Sequence, residues 1–366
     1  MKSKVLLISL LITTVVGVSI LLILYHISEA TMKRQNPFLR SFPPHLAEYV
    51  KQADLRFNSY YFAGYDKGIL YLGNYTAPLH GIAIDTTFKD KQEIRITPEK
   101  SNFQFRSVQL RVAPPNFYLM DGTVPCVYSG KITDWKASLR LKENPYFTFA
   151  EPIDSITFAF RANSSNSGVN VLGTFKLTTP PIVSLSPKLL EKQPGGDGIF
   201  DTDGTLLYNN GLSNIVYVYR YRNQFVVADK RANIVYRGNT IDTVSRAQIK
   251  VAQIDGERKM AAPPLSVNTA TAVCNSLLFV NSTLRGKYDN LKAWQNASTV
   301  DVYDLKKNVY LFSFYIAGIE GNKLKSLLVT PTHLYALIDT QLVSYAIKGN
   351  LKKEMMQFSG DFNASH

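Results

Sequence analysis

The sequence predicts an all-β protein: a single β-propeller, six blades favoured and seven possible, preceded by one N-terminal transmembrane helix. Three observations predict this fold. Residues 5–25 are uncharged and mostly apolar; beyond residue 55 short alternating runs replace helical periodicity; and a hairpin-like segment recurs about every 40–50 residues. Roughly 310 residues divided by that period gives six or seven units of the size of a propeller blade.

The apolar run Val5–Tyr25 follows Lys2 and Lys4. About 20 residues in a helix cross the ~30 Å hydrocarbon layer. A cleaved signal peptide has an apolar core of only ~7–15 residues and then a site of small residues, whereas Leu24 and His26 stand near that position here. Residues 1–27 are therefore predicted to be an uncleaved signal-anchor, and cleavage followed by secretion is the alternative.

Basic residues flank the run on both sides, so the positive-inside rule alone does not orient it. Basic residues before a long apolar core resemble a bacterial signal-anchor, which leaves the N-terminus in the cytoplasm. The sequence analysis therefore predicts a single-pass protein of the inner membrane whose globular part is exported to the periplasmic side.

Three regions follow from this pattern. Residues 1–27 are the anchor, residues 28–54 a polar, Pro-containing stalk with a helical turn or two at 45–53, and residues 55–366 the propeller. The ring is expected to close by pairing the strand-like segments Arg56–Phe62 and Met356–Ser359, since an open ring exposes strand edges. The six blades are predicted to begin near Arg56, Arg106, Ile156, Gly198, Ala270 and Lys323.

Two segments of this chain resemble known propeller blades: FYLMDGTVPCVYSG from Phe117 and VDVYDLKKNVYLFSFYI from Val300. They are similar to six-bladed propellers of the NHL, YVTN and TolB-like kinds, especially exported, membrane-anchored bacterial versions of unassigned function. The resemblance covers residues from about 55 to 360. It implies the fold and carries no activity, because propellers host enzymes, scaffolds and ligand-binding proteins alike.

The formal net charge of +13 is spread along the chain without a block of like charges, which predicts a mildly basic surface. No recognised reader motif accompanies it, so no nucleic-acid partner is predicted. Cys126 and Cys274 are the only cysteines and fall in the predicted second and fifth blades. Opposite sides of a six-bladed ring are too far apart for a disulfide, so two unpaired, buried thiols are expected.

Neither a metal nor a cofactor is predicted. His80 and His333 fall in the first and last predicted blades, and neither has an acidic or thiol ligand nearby at metal-binding spacing. They are therefore interpreted as loop histidines. Asp197 with the turn Asp201–Gly204 faintly resembles a calcium loop, but an Asp-Gly hairpin turn explains it. No nucleophile elbow or phosphate loop occurs, which argues against an enzyme without excluding carboxylates brought together from separate loops.

The segment 217–222 is the predicted binding patch. Alternation places its three tyrosines on one face of a strand. Together with the neighbouring guanidinium groups, these rings would bind a sugar, a peptide or an acidic partner. The alternative, which the pattern favours, is that the tyrosines pack between adjacent blades while the arginines mark the solvent end of the strand. The five candidate residues are Tyr217, Tyr219, Arg220, Tyr221 and Arg222.

The anchor, the repeat and the lack of catalytic motifs together favour a binding or scaffold protein. Its partner would be a protein, a peptide or a glycan met near the membrane. The alternative is a hydrolase or lyase acting on glycans or lactones, with residues from several blades around the central channel. Two or more carboxylates or histidines converging at one mouth of the channel would distinguish the enzyme.

Overall fold

The computed structural model describes residues 2–35, 37–99, 105–164, 168–254 and 257–363. Its N-terminal helix, α1, runs from Lys2 to Gln35 and contains one segment, Leu7–Ser28, that is long and apolar enough to cross a membrane. The apolar side chains of that segment are exposed, as they would be toward lipid. A propeller of six blades follows, as the sequence predicts.

The first three blades are four-stranded antiparallel sheets, with the first strand of each sheet innermost. A strand before them, β1 (Ala47–Asp54), belongs to the last blade, and the short β6 (Thr97–Pro98) adds an edge to the second. Blade one contains β2 (Tyr60–Asp66), β3 (Ile69–Asn74), β4 (His80–Asp85) and β5 (Lys91–Arg95); blade two β7 (Gln109–Ala113), β8 (Asn116–Asp121), β9 (Cys126–Lys131) and β10 (Lys136–Lys142); blade three β11 (Phe149–Pro152), β12 (Thr157–Asn163), β13 (Asn170–Lys176) and β14 (Ile182–Ser186).

The last three blades repeat this arrangement. A hairpin of β19 (Val251–Ile254) and β20 (Glu257–Met260) separates blades four and five, and a short helix, α2 (Leu291–Asn296), lies inside blade five. Blade four contains β15 (Gly204–Asn209), β16 (Asn214–Tyr219), β17 (Gln224–Asp229) and β18 (Ile234–Asn239); blade five β21 (Asn268–Cys274), β22 (Leu277–Ser282), β23 (Ala297–Asp304) and β24 (Val309–Ala317); blade six β25 (Ser326–Val329), β26 (His333–Ile338) and β27 (Gln341–Ile347), before the C-terminal helix α3 (Gly349–Asn363).

The hydrophobic core lies between the blades. In β16, Val216 and Val218 pack with residues of blade five, whereas Tyr217 and Tyr219 pack with residues of blade three. Because successive side chains of a strand point to opposite faces, one middle strand fills two interfaces. This explains why the middle strands are almost continuously apolar rather than alternating with polar residues.

The ring closes through β1, which pairs antiparallel with β27 along seven residue pairs from Ala47–Ile347 to Asp54–Gln341. The predicted helical turn at residues 45–53 is therefore wrong, and so is the predicted closing segment Arg56–Phe62, whose last three residues lie in β2 of blade one. Leu46 and Leu55, both buried, hold the two ends of β1. Tertiary pairing has overridden a local composition of Ala, Glu, Lys and Gln that favours helix.

The second predicted closing segment, Met356–Ser359, lies in α3 rather than in a strand. Leu351 and Met355, one helical turn apart, are buried in the core between blades five and six. The run of Leu, Lys, Glu, Met and Gln also consists of strong helix formers. The expectation that both chain ends share one sheet is thus wrong for the C-terminal segment, and β27 takes its place.

The segment after α1 is docked on blade five, in contrast to the predicted free stalk. Arg40 is enclosed, its Nε 2.7 Å from Oδ1 of Asp301 and its Nη1 bonded to Asp289. Phe42 stacks on Tyr315 with ring centroids 4.6 Å apart. The region predicted as stalk, residues 28–54, therefore contains the end of α1, a docked segment and the closing strand of the ring.

The predicted blade starts lie within about four residues of the inner strands in blades one, two, five and six. In blade four the predicted start, Gly198, lies about six residues before β15, and the prediction for blade three differs most. There the predicted start, Ile156, precedes β12, because the inner strand β11 is only four residues long and ends in Pro152. Both cysteines are free, Cys126 in blade two and Cys274 in blade five, as expected. Cys126 is buried and Cys274 partly buried.

Candidate functional site

The candidate site is the mouth of the central channel where the inner strands end. A cavity of about 560 Å³ opens there and is lined by residues of every blade, among them Tyr65, Arg111, Glu151, Tyr208, Val273 and Leu328. Gly64 permits the close approach of the first two inner strands, since a Cβ at this position would lie 2.1 Å from the carbonyl oxygen of Val112.

An ion pair joins blades two and three at this mouth. Nε of Arg111 donates to Oε1 of Glu151 at 2.8 Å, and only 10% and 19% of the two side chains are exposed. The guanidinium also lies over the ring of Phe149, 4.8 Å from its centroid. Burial raises the pKa of Glu151, and the adjacent Arg111 opposes that shift.

Two more carboxylates line the cavity, Asp66 and Asp154. Oδ1 of Asp154 accepts hydrogen bonds from the backbone amides of Ile156 at 2.9 Å and Thr157 at 2.8 Å, so this residue shapes the turn before β12. With Arg111 as the cation and three carboxylates, the lining carries a net charge of −2 within a chain of net charge +13. The mouth is thus an acidic cavity in a basic protein.

Tyrosines supply part of the apolar lining, beside aliphatic residues and prolines. Tyr118 is buried and its hydroxyl donates to the carbonyl oxygen of Ser155 at 3.0 Å, which fixes blade two against blade three. Tyr65 and Tyr208 are more accessible, with 37% of Tyr65 exposed. Burial raises the pKa of Tyr208, so its hydroxyl is protonated and can donate a hydrogen bond at neutral pH.

The five residues of the predicted binding patch lie in and just after β16, away from this mouth. Tyr217, Tyr219 and Tyr221 are buried, and Arg222 is buried with its guanidinium 3.8 Å from the ring centroid of Tyr219. Tyr217 donates to the carbonyl oxygen of Thr202 at 2.7 Å. Packing between blades, the alternative given for these tyrosines, is what the structure shows.

Arg220 is the accessible member of the patch, with 40% of its side chain exposed and its Nε 3.5 Å from Oδ2 of Asp203. A binding role for the patch stays a prediction, and burial confines it to this arginine. The sequence correctly placed the tyrosines on one face, but period-2 alternation cannot tell a face that meets solvent from one that meets the next blade.

The histidines and the acidic loop have local partners. Nε2 of His80 lies 3.6 Å from Glu93, and Nδ1 of His333 lies 3.0 Å from the hydroxyl of Thr332. The Asp201 carboxylate accepts the amide of Gln193 at 2.8 Å, and Asp197 accepts that of Phe200 at 2.9 Å, as in a turn. Among the described residues, no group of three His, Cys, Asp or Glu side chains has metal-binding geometry.

Sequence reasoning missed the residues of the mouth because they come from six separate segments. One signal was present: Asp66 and Asp154 each stand in a short polar stretch next to a strand-like run. Such aspartates occur at many turns, so the pattern alone does not single them out.

Comparisons with solved structures agree with the fold. A member of the DUF4221 family from Bacteroides vulgatus shares 11% identity, with 86% of this chain and 99% of that chain covered and a TM-score of 0.52. BamB from Moraxella catarrhalis shares 11% identity, with 82% and 100% covered and a TM-score of 0.44. At these identities the likeness concerns the fold alone. No protein-family model matches the sequence, and the comparison with curated proteins gives no match.

Proposed function

We propose that this chain is a membrane-anchored, extracytoplasmic binding protein whose propeller holds a segment of a partner protein at the channel mouth. The observation that carries the proposal is the acidic cavity of about 560 Å³ to which all six blades contribute. Small-molecule and peptide sites are concave surfaces with a few convergent polar groups, and this cavity has that character. A rigid ring of blades holds it open without the partner.

The lining selects a cationic segment. Its net charge of −2 favours Lys or Arg side chains, and the accessible rings of Tyr65 and Tyr208 offer faces on which a guanidinium or an ammonium group can lie. A neutral glycan would use the tyrosines but not the charge. The basic peptide is therefore the ligand class that uses both features of the mouth.

Three carboxylates converge at this mouth, which is the arrangement expected of the enzyme, but their contacts favour binding over catalysis. Glu151 is tied to Arg111, and Asp154 accepts two backbone amides. A general acid or base needs a side chain free to exchange a proton with substrate. Among the described residues, none is hydrogen-bonded to the accessible carboxylate of Asp66, so no nucleophile–base pair forms around it at the mouth.

Photo-crosslinking in the native membrane tests the binding site. A photoreactive residue replaces Asn210 at the mouth or Thr123 on the opposite face of the full-length chain. We expect a partner protein to be captured at position 210 and not at position 123. Its crosslinked segment should be rich in Lys and Arg.

A charge reversal with a matched control completes the test. Asp66→Lys should abolish capture at position 210, whereas Asp90→Lys, in the turn before β5 and outside the cavity lining, should leave it unchanged. Capture that survives Asp66→Lys, or that occurs only on the opposite face, would refute the mouth as the binding site. Carbonate extraction of the same membranes tests the anchor separately.

A further inference from the structure

We propose that the insertion of blade five, residues 283–296, rests on the anionic phospholipid surface of the membrane that holds α1, so that the channel mouth faces away from the bilayer. This inference rests on the anchoring part of the proposed function. It adds a second membrane contact, made by the propeller itself, and it fixes the orientation of the candidate site.

The tether places the insertion near the membrane. Seven helical residues follow the apolar segment that ends at Ser28, a rise of about 10 Å, and three further residues add at most about 10 Å before the chain docks. The carbonyl oxygen of Phe38 then accepts the amide of Lys287 at 3.0 Å. The insertion is therefore held within about 20 Å of the end of the membrane-spanning segment.

The docked segment is fixed firmly to blade five. Arg40 donates to both carboxylate oxygens of Asp301, and its Nη1 also donates to the carbonyl oxygen of Leu284 at 3.0 Å. The amide of Ser41 donates to the hydroxyl of Tyr310 at 3.0 Å. The tether between the membrane-spanning segment and the propeller is therefore confined to the residues before Phe38.

The charge of the insertion suits anionic headgroups. It contains Arg285, Lys287 and Lys292, and its one carboxylate, Asp289, is buried against Arg40. Lys287 and Lys292 are exposed. The sequence between the apolar segment and the propeller adds Lys33 and Arg34. Basic residues next to a membrane-spanning segment are attracted to anionic lipid within about a Debye length.

The insertion also carries the aromatic residues typical of a membrane interface. Tyr288 is 77% exposed, so the propeller covers little of its ring. Trp294 is partly buried, and Nζ of Lys323 lies 5.1 Å from its ring centroid. Tyr and Trp are enriched where a protein meets the headgroup layer.

Strand direction places the mouth on the other face. In blade five, Val273 near the end of β21 lines the cavity, whereas the start of β21, Asn268, pairs with Ser282, the last residue before the insertion. The insertion and the mouth therefore lie at opposite ends of the blade. A lipid-bound insertion leaves the mouth open toward a partner.

An environment-sensitive label tests the contact. The full-length chain carries a nitrobenzoxadiazole dye at Tyr288→Cys or, as control, at Asn210→Cys, and is reconstituted into vesicles of phosphatidylcholine with or without phosphatidylglycerol. Spin-labelled lipids should quench the dye at position 288 in the anionic vesicles and leave the dye at 210 unquenched. Raising the salt concentration should reduce the quenching at 288, because the attraction is screened.

Charge-reversed variants complete the test. Lys287→Glu with Lys292→Glu should lower the equilibrium constant for lipid contact by at least about 25-fold, about fivefold for the lost attraction of each lysine. The matched control, Lys89→Glu with Lys230→Glu on the mouth side, should leave it unchanged. Equal quenching of the dye at positions 288 and 210 in anionic vesicles would overturn the proposal. Shielding of the dye at position 288 from water in detergent alone would also overturn it, because that would indicate contact with a second copy of the chain. Release of the chain by carbonate would overturn the anchor and this proposal together.

Discussion

Arg40 and Asp301, 261 positions apart in the chain, form a two-pronged ion pair, with Nε to Oδ1 at 2.7 Å and Nη2 to Oδ2 at 3.1 Å. This pair joins the segment after α1 to the third strand of blade five. Both side chains are enclosed, since 0% of Arg40 and 1% of Asp301 is exposed. The segment that links α1 to the propeller is therefore part of the folded domain.

Removing the cation of this pair should destabilise the propeller. Arg40→Met leaves two buried carboxylates, Asp301 and Asp289, without their partner, and breaking a buried pair costs about 3–5 kcal/mol. Denaturant unfolding of the full chain in detergent, followed by tyrosine fluorescence, measures the free energy of unfolding. The exposed Arg140→Met is the control, with an expected change within about 0.5 kcal/mol. Equal effects of the two variants would contradict the ion-pair interpretation.

The ring closure can be fixed covalently. Tyr49 of β1 lies directly opposite Tyr345 of β27, and directly opposed residues have Cα atoms about 4.5–5.5 Å apart, within the range of a disulfide. Tyr49→Cys with Tyr345→Cys should therefore crosslink on oxidation. Constraining the unfolded chain should raise the free energy of unfolding by about 2–4 kcal/mol.

The closure that the sequence predicted provides the control. Phe62→Cys with Gln357→Cys joins the two segments expected to pair, but Phe62 lies in β2 and Gln357 in α3. This pair should remain reduced under the same oxidation, as mass mapping of peptides would show. A crosslink between positions 62 and 357 would restore the predicted closure and refute the observed one.

How much the sequence could predict depended on whether the signal was local. Blade number and strand positions followed from short apolar runs such as Phe117–Met120, because a middle strand buried on both faces needs them. The closing strand β1 gave no such signal, since its partner is about 290 residues away and its own composition favours helix. The mouth was missed for a similar reason: the packing of blades around one channel, not spacing along the chain, places Asp66 and Glu151 in the lining of the same cavity.

The two thiols should resist alkylation in the folded protein. Burial raises the pKa of Cys126 to about 11 and that of Cys274 to about 12. Since the thiolate is the reactive form, labelling by iodoacetamide at pH 8 should be roughly 100-fold slower than for an ordinary exposed cysteine. Asn210→Cys provides that exposed reference in the same chain, and peptide mass mapping gives the rates. Equal rates at positions 126, 274 and 210 would contradict the burial.

The same pKa shifts predict loss of stability at alkaline pH. Both thiols titrate higher in the folded state than in the unfolded chain, near 8.5, so the folded state holds more protons. Their contribution is complete below pH about 8.5 and declines as pH rises toward 11. Cys126→Ala with Cys274→Ala should flatten the fall between pH 8.5 and 10, before the tyrosines titrate. Denaturant unfolding across this pH range measures the free energy of unfolding. If its fall with pH were as steep in the double variant as in the unchanged chain, the two thiols would not be its cause.

The ion pair at the channel mouth makes the last prediction. Arg111→Met leaves Glu151 partly buried without its cation, which should raise the pKa of Glu151 further and lower the free energy of unfolding at pH 7 by about 3–5 kcal/mol. A folded-state pKa above the unfolded value makes the group stabilising at low pH, so the variant should regain stability as pH falls from 7 toward 5.

A second substitution separates charge from packing at this pair. Arg111→Met with Glu151→Gln removes both charges and should recover much of the loss at pH 7, with little dependence on pH between 5 and 7. Lys131→Met, which removes an exposed hydrogen bond of 2.8 Å to Asn116, is the control and should change stability by no more than about 0.5 kcal/mol. If Arg111→Met lost the same free energy at pH 5 as at pH 7, the cost would come from lost packing on Phe149, and Glu151 would not be the charge that Arg111 balances.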